Sequence, residues 1–204
     1  MLEILTVCTG NICRSPLAAQ LLTARLHDLD VVALSAGTRA RGGEPMTPEA
    51  AQLAADRGIP ADTAAAHRAR YLQPAHLQEP VLLLAMAREH RRAIVEADPT
   101  RLRSTFTIRE FARLAADVTD NEIRAAAHAA GDDPASRVAA ALDVVGGRRG
   151  LTLPPADPDD DDVIDPFGRS AATYERSAAQ LIPAVDAVTR VFHASLTRNT
   201  PVAD

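Results

Sequence analysis

Apolar residues recur along the chain in two rhythms. Leu2 to Val7 is a short β-prone run ending at Cys8, and Ser15 and Pro16 then open a segment in which Leu17, Leu21, Leu22 and Leu26 return at helical spacing. Residues 31–34 read as a second strand. Residues 81–86 are an unbroken apolar run, the mark of a central parallel strand covered on both faces. Residues 105–108 read as a short fourth strand. Helices are predicted in between. Thr47 caps one whose first position is Pro48 and which runs to about Arg57 before Gly58; others open near Arg88 and at Arg109. Further on, residues 121–130 and 135–145 form two Ala-rich helical patterns broken by Gly131-Asp132-Asp133-Pro134, followed by a Pro- and Asp-rich stretch, 146–162, that reads as mobile. A last helix, capped near Ser170, carries Tyr174, Leu181, Val185, Val188 and Phe192 on one face, with a bend expected at Pro183.

Composition narrows the function classes. With 204 residues, 47% of them hydrophobic, the chain can build one ordinary α/β core. Its 22 basic residues are all Arg, which reads as codon bias. The net charge of −5 with no basic stripe argues against nucleic acid as the main partner. No signal peptide or long apolar span precedes the first strand, so a cytoplasmic protein with no membrane partner is expected. Two cysteines fit a reducing compartment and exclude a disulfide scaffold. The run Asp159 to Asp162 lacks the alternating ligands and distal Glu of a calcium loop; a solvated charged loop is expected there, and no metal site.

Chemistry concentrates where the first strand meets the first helix. Residues 9–14 must form a tight loop, and the backbone N–H groups of a helix N-terminus with the helix dipole suit a phosphate-sized dianion. Cys8 starts this cradle and Arg14 ends it. A helix N-terminus and a neighbouring guanidinium favour a thiolate nucleophile, and the Arg fork binds two phosphate oxygens at once. The Ser15 hydroxyl can point back at the sulfur. A Walker-type loop is excluded, because no Gly-Lys-Ser/Thr follows.

The run Val-Cys-Thr-Gly-Asn-Ile-Cys-Arg-Ser-Pro over residues 7–16 closely resembles the low-molecular-weight protein-tyrosine-phosphatase family, in Gly10, Asn11, Cys13, Ser15 and Pro16 as well as in the Cys-x5-Arg spacing. The resemblance extends to Ser35-Ala36-Gly37-Thr38, to His67-Arg68-Ala69-Arg70 and to Asp165-Pro166. It implies a doubly wound α/β domain with a four-stranded parallel sheet and flanking helices, and a phosphate-binding loop after strand 1. It implies Cys8 as nucleophile, Arg14 as phosphate clamp and Asp165 as acid, then base, in hydrolysis through a cysteinyl-phosphate intermediate without cofactor. Thr9, Gly10, Asn11, Ile12, Cys13 and Ser15 would form or support the loop, with Ser35 and His67 holding it. Asn11 tolerates the left-handed backbone such a turn requires, His67 supplies a hydrogen bond and no proton, and Ile12 and Phe167 wall the substrate.

These assignments leave a phosphorylated protein or small phosphomonoester as substrate and no partner protein identified. Phosphotyrosine is favoured over phosphoarginine because Ile12 stands where family phosphoarginine phosphatases include Thr. Arsenate reduction would need a soluble thiol, since the segment 88–92 lacks the Cys pair of thioredoxin-coupled reductases on this scaffold. A phospho-ligand binding module would need neither Cys8 nor Asp165. His90 reads as a solvated helix residue. Cys13 reads either as a packed thiol or as the partner that captures oxidised Cys8. The chain, 1–204, is expected to be a single phosphatase domain with an insertion at about 115–162, a peripheral helical appendage.

Overall fold

The computed structural model describes residues 1–197. Four strands, β1 (Leu2–Cys8), β2 (Val31–Gly37), β3 (Leu82–Ala85) and β4 (Thr105–Thr107), form one sheet in the order β2-β1-β3-β4, and every pairing is parallel. Parallel neighbours require crossovers, and α1 (Arg14–Arg25), α2 (Pro48–Ala55) with α3 (Ala61–Ala66), and α4 (Arg88–Ala97) supply them. After the last strand follow α5 (Ile108–Ala116), α6 (Asp120–Ala129), α7 (Pro134–Gly146) and α8 (Ala171–Leu196). The predicted α/β sheet and its four strands are present. β2 runs three residues past its predicted end, to Gly37, because residues 35–37 stay in register with residues 6–8 of β1.

Alternation along the central strands separates two apolar layers. Ile4, Leu82, Leu84 and Phe106 pack with the buried faces of α1, α5 and α8, while Leu5, Val7, Leu83 and Ala85 pack with Ile94 of α4 on the other side. Phe106 meets Phe111 edge to face at 5.3 Å, a geometry aromatic quadrupoles favour. The five residues predicted to share one face of α8 are all buried, and the helix continues through Pro183.

Three expectations are corrected here. The helix α1 starts at Arg14 with Cys13 as its cap residue, not at Ser15; Ser15 is wholly buried because its hydroxyl is used inside the loop. The acidic run is a solvated loop only in its first half: Asp159 and Asp160 are exposed, Asp161 and Asp162 are not. Asp161 pairs with Arg113 at 2.7 Å, Asp162 with Arg88 at 3.1 Å, and Asp159 also with Arg88. Asp162 Oδ1 accepts the Arg88 backbone N–H at 2.7 Å, so it caps α4 from a distant part of the chain.

The third concerns residues 115–162. The helix α6 is capped by the box Thr119/Glu122 and α7 by Asp133 with Pro134 at its first position. Their apolar faces then enter the main core: Ile123, Val138, Ala141, Leu142 and Val145 belong to the same buried cluster as Phe111, Val188 and Phe192. These helices therefore share the core instead of resting on it as a peripheral appendage. Ile123→Ala should destabilise the whole protein by about 2–4 kcal/mol, the usual cost of truncating a buried Ile, in a single urea transition followed by circular dichroism and by activity together. An early transition that spares activity would show that the two helices unfold as a separate unit.

Candidate active site

The loop after β1 is held from four directions. Asn11 sits at φ 57°, a left-handed conformation that Asn tolerates better than most residues, and it is fully buried. Its side-chain amide donates to Ser15 Oγ at 3.0 Å and to Ser35 Oγ at 2.8 Å, while its carbonyl oxygen accepts the Arg70 backbone N–H at 2.9 Å. His67 Nε2–H donates to the Asn11 backbone carbonyl at 2.7 Å. Burial lowers the His67 pKa, which that hydrogen bond and the nearby Arg68 and Arg70 modify. The ring is therefore a neutral donor, as its proposed supporting part requires. Asn11, Ser15, Ser35 and His67, the four residues named from sequence, meet here. Arg70, which the sequence reading left without a role, adds a further tie through Nε to Ser35 O at 2.6 Å.

The loop's own backbone closes against the end of β2. Thr38 N–H donates to Cys8 O and Arg39 N–H to Thr9 O, each at 2.9 Å. Gly37 makes this approach possible, since a Cβ there would lie 2.6 Å from Thr9 O and 2.9 Å from both Asn11 N and Ala40 Cβ.

Cys8 lies at the base of a cavity of about 310 Å³ lined by Thr9, Gly10, Ile12, Arg14, Asp165 and Phe167, among others. Its sulfur accepts the Asn11 N–H at 3.3 Å and lies 3.0 Å from Ser15 Oγ. Ser15 Oγ is also 3.3 Å from Ala36 O, so its single proton has two destinations. With a thiol, S–H donates to Ser15 and Ser15 donates to Ala36; with a thiolate, the Ser15 proton turns to the sulfur. Above the loop, α1 has neither a side-chain cap nor an acidic residue in its first turn, whereas α2, α5, α6 and α7 are capped by Thr47, Thr107, Thr119 and Asp133. The positive end of α1 is left to whatever anion enters.

Arg14 is 5% exposed. Its Nη1 donates to Val163 O at 3.0 Å, its Nη2 pairs with Asp165 Oδ2 at 2.7 Å, and its buried Nε has no partner. Nε and Nη2 form the side of the guanidinium that grips two oxygens of a phosphate, so one of the two required donors is already uncommitted. Asp165, half-exposed, also accepts the Phe167 N–H at 3.2 Å. Phe167 is 62% exposed at the cavity mouth, as a substrate wall would be.

Cys13 belongs to the cavity lining, but its thiol is engaged beside it. Its thiol lies 3.5 Å from Thr47 Oγ1 and 3.6 Å from Tyr174 OH, within the core cluster. Burial raises the pKa of Cys13 and pushes that of Tyr174 to about 12. Both groups therefore remain protonated at neutral pH, which favours the packing reading of Cys13.

His90 was misread as solvated. It is 1% exposed, and its Nε2 lies 2.8 Å from Thr9 Oγ1. Burial first, then Arg14 and Arg39, lower its pKa to about 3, so the 3.3 Å approach to Glu89 involves a neutral ring and is no ion pair. Its Nδ1 is buried without a partner. An orphaned lone pair costs less than an orphaned N–H, which places the proton on Nε2, donating to Thr9. Arg14 Nη2 donates to the same oxygen at 3.4 Å, leaving the Thr9 O–H as a donor toward the cavity. Arg39, Arg41 and Glu44 also line the cavity and were missed. No local pattern marked them, because they sit on the loop after β2 and only the fold brings them to the loop after β1.

Residues 3–126 match the family described as low molecular weight phosphotyrosine protein phosphatase. A protein-arginine-phosphatase of Geobacillus stearothermophilus is 39% identical over 53% of this chain and 70% of its own length. A probable low molecular weight protein-tyrosine-phosphatase, EpsP, of Ralstonia solanacearum is 37% identical over 53% and 71%. Among solved structures, the YwlE arginine phosphatase from Geobacillus stearothermophilus superposes with a TM-score of 0.63 at 27% identity, covering 93% of this chain and 91% of that one.

Two outcomes test this geometry. In Gly37→Ala the added methyl forces the Thr9 and Asn11 backbone apart, and kcat/KM on a small aryl phosphate should fall about 10²-fold, the scale of a misplacement near 1 Å; retention within threefold would show the loop adapts. For His90, the folded pKa lies below the ordinary value of about 6.5, so the unfolded chain binds the extra proton and stability drops as pH falls from about 6.5 toward about 3. Urea midpoints of His90→Gln, which cannot take up that proton, should decline less between pH 6.5 and 4.5 than those of the wild type; parallel curves would remove His90 as the source.

Proposed function

Because the chain belongs to the low molecular weight phosphotyrosine protein phosphatase family, whose members act on phosphoprotein or phosphoester substrates, we propose that it hydrolyses phosphotyrosine in proteins. The observation that carries the reading is the single cavity holding the Cys8 sulfur, the uncapped start of α1, the Arg14 fork and Asp165. Cys8 attacks phosphorus, the bond from phosphorus to the tyrosyl oxygen breaks, and Asp165 delivers a proton to that oxygen. Substrate phosphate competes with Asp165 for Arg14, which releases the carboxyl toward the leaving oxygen. In the second step water attacks the cysteinyl phosphate, Asp165 accepts its proton, and the sulfur leaves with the Ser15 hydroxyl turning to donate to it. Asn11, Ser35, His67 and Arg70 hold the loop through both steps; Thr9 and Gly10 form it, and Ile12 and Phe167 wall the phenyl ring.

Residues 1–204 are read as one phosphatase domain in which 115–162 form an insertion that supplies core and no cavity wall, and the setting is read as cytoplasmic. Among the described residues no helix is long and apolar enough to cross a membrane.

A second reading, phosphoarginine hydrolysis, is favoured by the relative named as a protein-arginine-phosphatase and by Glu44 and Asp165 in the lining, two carboxylates that can face a guanidinium. Turnover of a phosphotyrosine peptide and a phosphoarginine peptide separates the two. Phosphotyrosine should be hydrolysed, Cys8→Ser should abolish turnover, and Asp165→Asn should slow it by about 10²–10⁴-fold, less on aryl phosphates with good leaving groups. Turnover of phosphoarginine alone would replace the first reading with the second, and equal loss on good and poor leaving groups would remove Asp165 from the acid role.

A further inference from the structure

Three arginines line the cavity that holds Cys8: Arg14, Arg39 and Arg41. Arg14 is buried and paired with Asp165. Arg39 and Arg41 are both exposed, and neither has an ion-pair partner among the described residues. The carboxylates in the same lining do not cancel them: Asp165 is bound to Arg14 at 2.7 Å, and Glu44 pairs with neither. Both arginines belong to a short segment anchored at each end. Arg39 N–H donates to Thr9 O at 2.9 Å, and Glu44 O accepts the Ala69 N–H at 2.8 Å. The positive charge of Arg39 is felt as far in as His90, whose proton it disfavours.

We propose that Arg39 and Arg41 form a cationic subsite at the cavity mouth that selects phosphotyrosine flanked by acidic side chains. The proposal rests on the phosphotyrosine reading above and deepens it by naming the sequence context of the substrate. The phosphate itself is served deeper in the cavity, by the loop and Arg14. Charge on the rim meets what surrounds the phosphorylated residue. A guanidinium fork matches a carboxylate in two parallel hydrogen bonds, and two like charges at the mouth raise the encounter rate of an acidic segment. In a protein of net charge −5, an acidic substrate otherwise meets repulsion, so a local positive rim is what admits it. A basic segment would meet both guanidinium groups as like charges.

The test is kcat/KM on three phosphotyrosine peptides of equal length whose flanks are acidic, uncharged or basic, at low and at high salt. The wild type should prefer the acidic peptide over the uncharged one by about three- to tenfold, the scale of one or two exposed ion pairs, and disfavour the basic one. The preference should shrink toward unity near 1 M salt, where the screening length is about 3 Å. In Arg39→Glu/Arg41→Glu the order of the peptides should reverse, and in Arg39→Gln/Arg41→Gln it should vanish; circular dichroism melting confirms that both variants are folded. Turnover of the uncharged peptide with no acidic preference, or a preference that survives charge reversal, overturns the subsite and leaves the reaction standing. No turnover of any of the three overturns the phosphotyrosine reading and the subsite with it.

Discussion

The structure depends on keeping a loop of converging hydrogen-bond donors in place. Residues 9–13 lead into the uncapped start of α1, and a helix N-terminus without a cap leaves its first N–H groups unsatisfied. Nothing in such a turn stabilises itself. Asn11 supplies the missing ties with a left-handed backbone and three side-chain bonds, to Ser15, Ser35 and the Arg70 N–H. The end of β2 and the segment 67–70 thus carry the loop's shape. The same requirement explains why β2 extends to Gly37: only a residue without a Cβ lets the strand end approach Thr9 O and Asn11 N.

Arg14 links this frame to Asp165, the proposed acid. A buried guanidinium is expensive unless its donors are used. Here Nη1 is satisfied by Val163 O and Nη2 by Asp165 and Thr9, while Nε is left without a partner. The unsatisfied donor is a local cost that a bound oxyanion would remove, so the site gives up some stability in the form that waits for substrate. His90 carries a similar cost at Nδ1, and its return is the orientation of the Thr9 hydroxyl.

Much of the site was legible because it is contiguous. Cys8, Arg14 and Ser15 sit within one strand-to-helix passage, and Gly10, Asn11, Cys13 and Pro16 in the same run add what the bare Cys-x5-Arg spacing lacks. Asn11 was legible through its tolerance of positive φ. His90 was not. It stands in the first turn of α4, where sequence alone favours solvent, and it is buried because α4 lies over Thr9 in the fold. The second half of the acidic run was misread for the same reason, since its partners Arg88 and Arg113 are remote in sequence. Helical periodicity located α6 and α7 to within a residue or two, but an Ala-rich pattern does not say whether its few large side chains meet a neighbour or enter a core.

The placing of Asp165 shows how the long detour through α6 and α7 is tolerated. The detour is anchored in the core through α6 and α7, but the proposed acid role needs the Asp165 carboxyl placed to a fraction of an ångström. That precision has to come from contacts next to Asp165. Asp161 and Asp162 are clamped by Arg113 and Arg88, Thr107 Oγ1 donates to Asp161 O at 2.6 Å, and Arg109 donates to Asp162 O at 2.8 Å. Val163 N–H donates to Met86 O, just past the end of the inner strand β3, at 2.8 Å, and Gln180 Oε1 accepts the Ile164 N–H at 2.9 Å. The chain is thus fixed immediately before Asp165 by contacts with α4, α5, α8 and the end of β3. The end of the acidic run, which closes the 115–162 segment, is the fastening that holds the chain just before Asp165.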